Sequence, residues 1–169
     1  MNPTIEFDEL LRYEREQLDH WKAFFAKAPE GLEVPFAADA DGGGRMATVR
    51  HVIHHIAGVE CRYVDRLERI AVTPFEAIPL APAGALFDAA RAANARLATW
   101  VGRASQADLS CEIEFQTISA GTVRASARKI VAHTLLHGVR TWAQLATVLR
   151  THGAPTDWYH DALFSEAFR

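Results

Sequence analysis

The sequence predicts an all-α protein built as a four-helix bundle. Four long segments carry apolar residues at steps of three and four, which is the spacing of an amphipathic helix. Connections rich in glycine or proline separate these segments, and only one short stretch alternates as a strand would. Because 169 residues with 49% hydrophobic and 23% charged side chains suit one compact core, we expect residues 1–169 to form a single domain.

The first two helices are predicted over residues 5–28 and 48–70. Pro29 and Gly31 end the first helix, and consecutive glycines at positions 42–44 indicate a flexible loop before the second. In the second helix, Val52, Ile56 and Val59 belong to an apolar stripe with helical spacing. We expect this stripe to be buried against the other helices.

A long crossover is predicted over residues 73–82, where three prolines remove backbone donors. An alanine-rich third helix follows over residues 83–103. Weak alternation from Cys111 to Phe115, with Gly121 soon after, predicts a short β-hairpin. Ser126 is the expected N-cap of a last helix over residues 127–151, which Gly153 and Pro155 end.

Charge and composition exclude several classes of function. A net charge of −3 gives no basic surface for nucleic acid. No apolar run approaches the ~20 residues that a membrane span needs, and the N-terminus lacks the pattern of a secretory signal. Two cysteines, Cys61 and Cys111, do not make a disulfide framework. We therefore expect a cytoplasmic protein without nucleic-acid or membrane partners.

Five of the eight histidines fall in two of the predicted helices. His51 and His55 are four residues apart in the second helix, and His133 and His137 are four apart in the last helix, on its apolar stripe. A buried imidazole needs a partner, which is either a hydrogen-bonding group or a metal ion. Histidines from facing helices are a common way to hold a divalent ion with an open coordination position. His54 is expected to have only a structural role.

Two motifs resemble those of DinB-like proteins. The second-helix motif begins with a histidine and ends with a glutamate, and it comprises His55, Ile56, Ala57, Gly58, Val59 and Glu60. The last-helix motif, over residues 133–153, has histidines four apart, then Trp-Ala-Gln, then Leu-Arg and a glycine, and the hairpin-like residues 119–124 precede it as in the family. The resemblance implies a four-helix bundle, commonly a homodimer, with nickel or zinc on three histidines. It also implies a thiol-dependent transferase or isomerase acting with a low-molecular-weight thiol.

Carried over residue by residue, the resemblance matches His55 and His137 to two metal ligands and leaves the third unmatched. The remaining family histidine falls at Thr141, whose neutral hydroxyl is a poor ligand for a transition metal. Either the ion is lost, or His133 replaces the missing ligand from one turn away. In the second case His51 is the natural substitute for His55.

Glu60 and Tyr63 are the candidate catalytic residues. Glu60 could orient a ligand histidine or act as a general base, but a surface ion pair is the expected alternative. Tyr63 could donate a hydrogen bond to a substrate, or it could simply pack in the core. Trp21 and Trp142 are expected to be core or interface anchors.

Three functions are compatible with these residues. The first is a DinB-like metal-dependent enzyme that activates a thiol or a water molecule. The second is a metal-free helical bundle that binds a small molecule, and the third is a purely structural dimer. Only the first needs the histidines to converge on one ion.

Overall fold

A computed structural model describes residues 5–36, 46–117 and 121–168 of the chain. Its helices are α1 (Phe7–Lys27), α2 (Val49–Glu68), α3 (Ala83–Arg103), the short α4 (Gln106–Ser110) and α5 (Ala127–Thr151). Two strands, β1 (Glu112–Thr117) and β2 (Gly121–Ser126), lie between α4 and α5. The prediction of a mostly helical fold is confirmed. The predicted glycine-rich loop at 42–44 lies outside the described residues.

The four long helices form a square bundle. α3 packs against α1 and α2, and α5 packs against the same two helices, so α1 lies diagonally opposite α2. The long crossover from α2 to α3 is confirmed, and it contains a single turn of 3₁₀ helix (Phe75–Ala77). Each helix buries one stripe toward the centre, as the spacing of its apolar residues requires.

The hairpin and the start of α5 agree with the prediction. β1 and β2 pair antiparallel, with Phe115 opposite Val123. The Ser126 side chain accepts a hydrogen bond from the backbone N–H of Lys129, which caps α5 as expected. At the other end, Gly153 adopts a positive φ of 78°, a conformation that favours glycine.

The C-terminal segment covers α1, which sequence reasoning did not predict. Trp158 donates from Nε1 to Gln17 Oε1 at 3.2 Å, and the His160 ring contacts the same oxygen at 3.1 Å. The Tyr13 hydroxyl donates to the backbone carbonyl of His160. The His160 ring also stacks on the buried Trp21, so this part of the C-terminal segment packs against the core.

The core consists of two apolar clusters, one toward each end of the bundle. Trp21 and Trp142 stack in one cluster, as expected of core anchors. Leu11, Leu97 and Leu135 belong to the other cluster. Cys61 and Cys111 are both free thiols in the structure. Among the described residues no helix is both long and apolar enough to cross a membrane.

Candidate functional site

His55 of α2 and His137 of α5 face each other where the two helices pack together. Their Nε2 atoms are 3.2 Å apart, and their ring centroids are 5.1 Å apart. Two nitrogens bound at about 2.1 Å to one ion, at angles between those of an octahedron and a tetrahedron, are separated by roughly 3.0 to 3.4 Å. The observed distance therefore suits either a direct N–H···N hydrogen bond or two ligands of a single ion.

The crossover segment holds the His55 ring in place. The Phe75 ring lies parallel to it, with an interplanar angle of 8° and a centroid distance of 6.2 Å. Phe75 can approach α2 this closely because residue 58 is glycine, and a Cβ there would overlap the Phe75 ring. Gly58 and Phe75 together thus fix one wall of the site.

The environment of His137 keeps its imidazole neutral. Burial, and then the positive charges of His55, Arg140 and His133, lower the pKa of His137 to about 4. A neutral ring has a free nitrogen lone pair at physiological pH, which is the form that binds a metal ion. The site therefore offers a preformed acceptor.

His133 does not occupy the core position that its place on the apolar stripe predicts. It is exposed, with its ring centroid 5.8 Å from that of His137 and 5.2 Å from that of Tyr63. Within the described parts of the chain, no three His, Cys, Asp or Glu side chains lie close enough to share a metal ion. The pair of His55 and His137 thus has no third protein ligand already in place.

Thr141 and His51 are occupied by local hydrogen bonds. The buried Thr141 hydroxyl donates to the backbone carbonyl of His137 at 2.7 Å, within its own helix. His51 Nδ1 lies 2.8 Å from the hydroxyl of Thr48. The His54 ring contacts the carbonyl of Ile78 at 3.1 Å, in agreement with its expected structural role. None of the three lines the cleft beside the histidine pair.

A cleft of about 360 Å³ opens beside His55 and His137. This volume is at the lower end of the range of small-molecule sites. Tyr63 lines the cleft and packs edge-on against Phe115. The described lining residues are Met46, His55, Val59, Arg62, Tyr63, Arg66, Phe75, Gln116, Thr117, His133, His137 and Arg140.

A buried polar layer separates the two apolar clusters of the core, and sequence reasoning missed it. Glu14 of α1 and Glu60 of α2 are each 3% exposed, and Asn94 of α3 is fully buried. The two carboxylate oxygens of Glu60 and the polar atoms of the Asn94 side chain are buried, and the Asn94 amide lies close enough to the Glu60 carboxyl group to affect its pKa. The surface ion pair expected for Glu60 is therefore wrong, because its carboxyl group points into the bundle.

Burial makes both acids of this layer hard to ionise. It raises the pKa of Glu14 to about 8, against the smaller opposing effect of the nearby Trp142 indole. It also raises the pKa of Glu60 well above its ordinary value, and the neighbouring Glu14 adds to this effect. Glu14 reaches α5 directly, since a Cβ on residue 138 would overlap its carboxylate. The layer thus adjoins α5 at the residue after His137.

A bundle of four long helices, with a histidine pair at the wall of an open cleft, defines a helical-bundle protein with a candidate metal centre. The chain belongs to the DinB family, whose sequence model matches residues 1–167. A comparison with curated proteins finds none that is similar to this chain.

Proposed function

We propose that this DinB-family protein binds one divalent transition-metal ion between His55 and His137 and acts as a metal-dependent enzyme on a small molecule in the adjoining cleft. The observation that carries the proposal is the 3.2 Å distance between the two Nε2 atoms. At this distance both nitrogens could bind one ion without any movement of α2 or α5. Imidazole nitrogens suit nickel and zinc. The residues present fit an ion on two protein ligands rather than three.

When bound, the ion would supply Lewis acidity to a ligand in an open coordination position. The residues of the chain contribute the rest. His55 and His137 would hold the ion at the wall of the cleft, and Phe75 lies parallel to the His55 ring. Tyr63 lines the same cleft, where its hydroxyl could donate to a substrate.

Metal content and coordination test this proposal directly. Untagged protein is brought to equilibrium by dialysis against a saturating concentration of Ni²⁺ or Zn²⁺, and bound metal per chain and X-ray absorption are measured with the free ion still present. We expect close to one ion, with two imidazoles in its coordination sphere. Catalysis is tested with a low-molecular-weight thiol and a chromogenic aryl halide, comparing the loaded protein with its His137→Ala variant. An ion bound without histidine would refute the proposed centre.

A metal-free binding module is the second candidate, and the absence of a third ligand among the described residues favours it. In that case His55 and His137 are hydrogen-bonded to each other, and the cleft takes its ligand without an ion. A thermal-shift screen of chelator-treated protein separates the candidates, because a ligand of the native state raises the melting temperature. Ligands that act only after metal is added would exclude this second function.

The homodimer implied by the DinB resemblance is part of the same proposal. Leu136 and Val139 of α5 are exposed apolar residues that a partner surface could cover. Sedimentation analysis of the wild type and of Leu136→Ser would test it. We expect the wild type to be dimeric. The Leu136→Ser dimer should be weaker and should therefore dissociate at a higher protein concentration than the wild type.

A further inference from the structure

The cleft beside the histidine pair has an unusual balance of charge for a chain with a net charge of −3. Three arginines and three histidines line it, and none of its described lining residues is an aspartate or a glutamate. Because a cleft lined by one sign of charge concentrates ions of the opposite sign, this composition points to an anionic ligand.

Arg62 and Arg66 are held rigidly by groups that do not neutralise them. Arg62 donates to the carbonyl of Thr73 at 2.6 Å, and Arg66 donates to the carbonyls of Arg62 and Gln116 at 2.8 and 3.3 Å. Their guanidinium groups also lie over aromatic rings, that of Arg62 over Phe75 at 4.8 Å. These partners are neutral groups, so they fix the position of each guanidinium without forming an ion pair with it.

The carboxylates on the same part of α2 are directed elsewhere. Asp65 and Glu68 both accept hydrogen bonds from Arg96 of α3, at 2.8 and 2.5 Å. Within the described residues, neither Arg62, Arg66 nor Arg140 forms an ion pair. Arg66 Nε is in addition buried without a hydrogen-bond partner.

We infer that Arg62 and Arg66 form the anion-binding end of the cleft, so that its natural ligand is a small molecule with a carboxylate or phosphate group. A planar guanidinium binds either group through paired N–H donors. This inference rests on the proposed function in one respect, which is that both use the same cleft. It does not require the metal, because the arginines would bind an anion whether or not a metal ion is bound to His55 and His137. The reacting part of the ligand would then lie toward the histidine pair.

Calorimetric titration with malonate and with inorganic phosphate tests the inference, at constant ionic strength in chloride. Malonamide, which has the shape of malonate without its charge, is the neutral control. We expect both anions, but not malonamide, to bind the chelator-treated protein. The variants Arg62→Gln and Arg66→Gln should each weaken binding about tenfold or more, since hydrogen bonds to charged groups are among the stronger ones. Arg15→Gln, which removes an exposed charge outside the cleft, should leave it unchanged.

The outcomes separate this inference from the metal proposal. Anion binding that depends on Arg62 and Arg66 but is found without any metal binding would sustain the inference and reject the metal centre. Anion binding only to nickel-loaded protein, equal in wild type and both variants, would overturn the inference and leave the metal centre intact. Variants that melt at lower temperature yet bind malonate as the wild type does would show a structural role alone, which also overturns it.

Discussion

Nε2 of His55 lies 3.2 Å from Nε2 of His137, across the contact between α2 and α5. This distance suits a direct hydrogen bond between two half-buried imidazoles, and it equally suits two ligands of a single ion. An ion held by two protein ligands is expected to bind weakly and to exchange readily, because water or substrate fills its other positions.

His133 should contribute little to metal affinity, because it is exposed and does not form a group of three possible metal ligands with His55 and His137 among the described residues. We expect His133→Ala to change the dissociation constant for Ni²⁺ by less than about threefold, or under ~1 kcal/mol. Equilibrium dialysis with radioactive nickel measures this constant. A loss as large as that of His137→Ala would instead make His133 a ligand.

Replacing Thr141 by histidine should tighten metal binding. The Thr141 side chain is one turn after His137 on the same helix face, where the DinB resemblance places the missing ligand. We expect at least about tenfold tighter nickel binding, together with a loss of ~1 to 3 kcal/mol in the unfolding free energy of the metal-free protein, because the larger ring overfills a buried position. Thr141→Val is the control, and no gain in affinity is expected from it. Equal affinity of the wild type and Thr141→His would contradict the assignment of this position.

Glu14 should make the bundle less stable as pH rises. Its folded pKa of about 8 lies above its ordinary value of 4.5, so the folded state holds a proton that the unfolded state loses between these two values. The contribution of Glu14 to the unfolding free energy therefore falls from about pH 4.5 to about pH 8 and then levels, by an amount on the order of a few kcal/mol. Because burial also raises the pKa of Glu60, Glu14→Gln should reduce this slope in part and Glu14→Gln combined with Glu60→Gln should lose most of it, whereas exposed Glu30→Gln should keep it. Urea unfolding at several pH values measures it, and unchanged slopes in Glu14→Gln would refute the prediction.

Gly138 should tolerate a side chain poorly, because the buried Glu14 carboxylate would have to move. A Cβ at this position would overlap the Glu14 carboxylate inside the polar layer, so we expect Gly138→Ala to lower the unfolding free energy by ~1 to 3 kcal/mol. Gly84 of α3 has no atom within 4 Å of a Cβ built there. The matched variant Gly84→Ala should be neutral or stabilising by up to ~1 kcal/mol. Equal effects of the two substitutions in urea unfolding would argue against close contact of Glu14 with α5.

The sequence predicts the helices well because each depends on local signals. The spacing of apolar residues, the cap at Ser126 and the glycine at position 153 act within a few residues, and the structure confirms the third and last helices to the residue. The C-terminal contacts with α1 could not be predicted in this way. These contacts join Gln17 to Trp158 and His160, which lie more than 140 residues further along the chain. No periodic pattern in the sequence predicts contacts over such a separation.

The candidate site could be predicted in part. The motifs pointed to His55 and His137, and the structure brings their rings together. Helical spacing placed His133 in the core because it shares a stripe with buried residues, but the cleft leaves that part of α5 uncovered. The burial of Glu14 could have been predicted from the sequence, because Glu14 lies between Leu11 and Leu18 on the apolar stripe of α1. A charged residue at such a position indicates a buried polar group.

The central claim is that His55 and His137 bind one ion together, and calorimetric titration of untagged, chelator-treated protein with Ni²⁺ tests it most directly. We predict about one ion per chain in the wild type and in the exposed control His152→Ala, and no measurable binding in either His55→Ala or His137→Ala. Circular dichroism verifies that each variant remains helical. Binding of the same strength in the wild type and in folded His55→Ala would contradict the account.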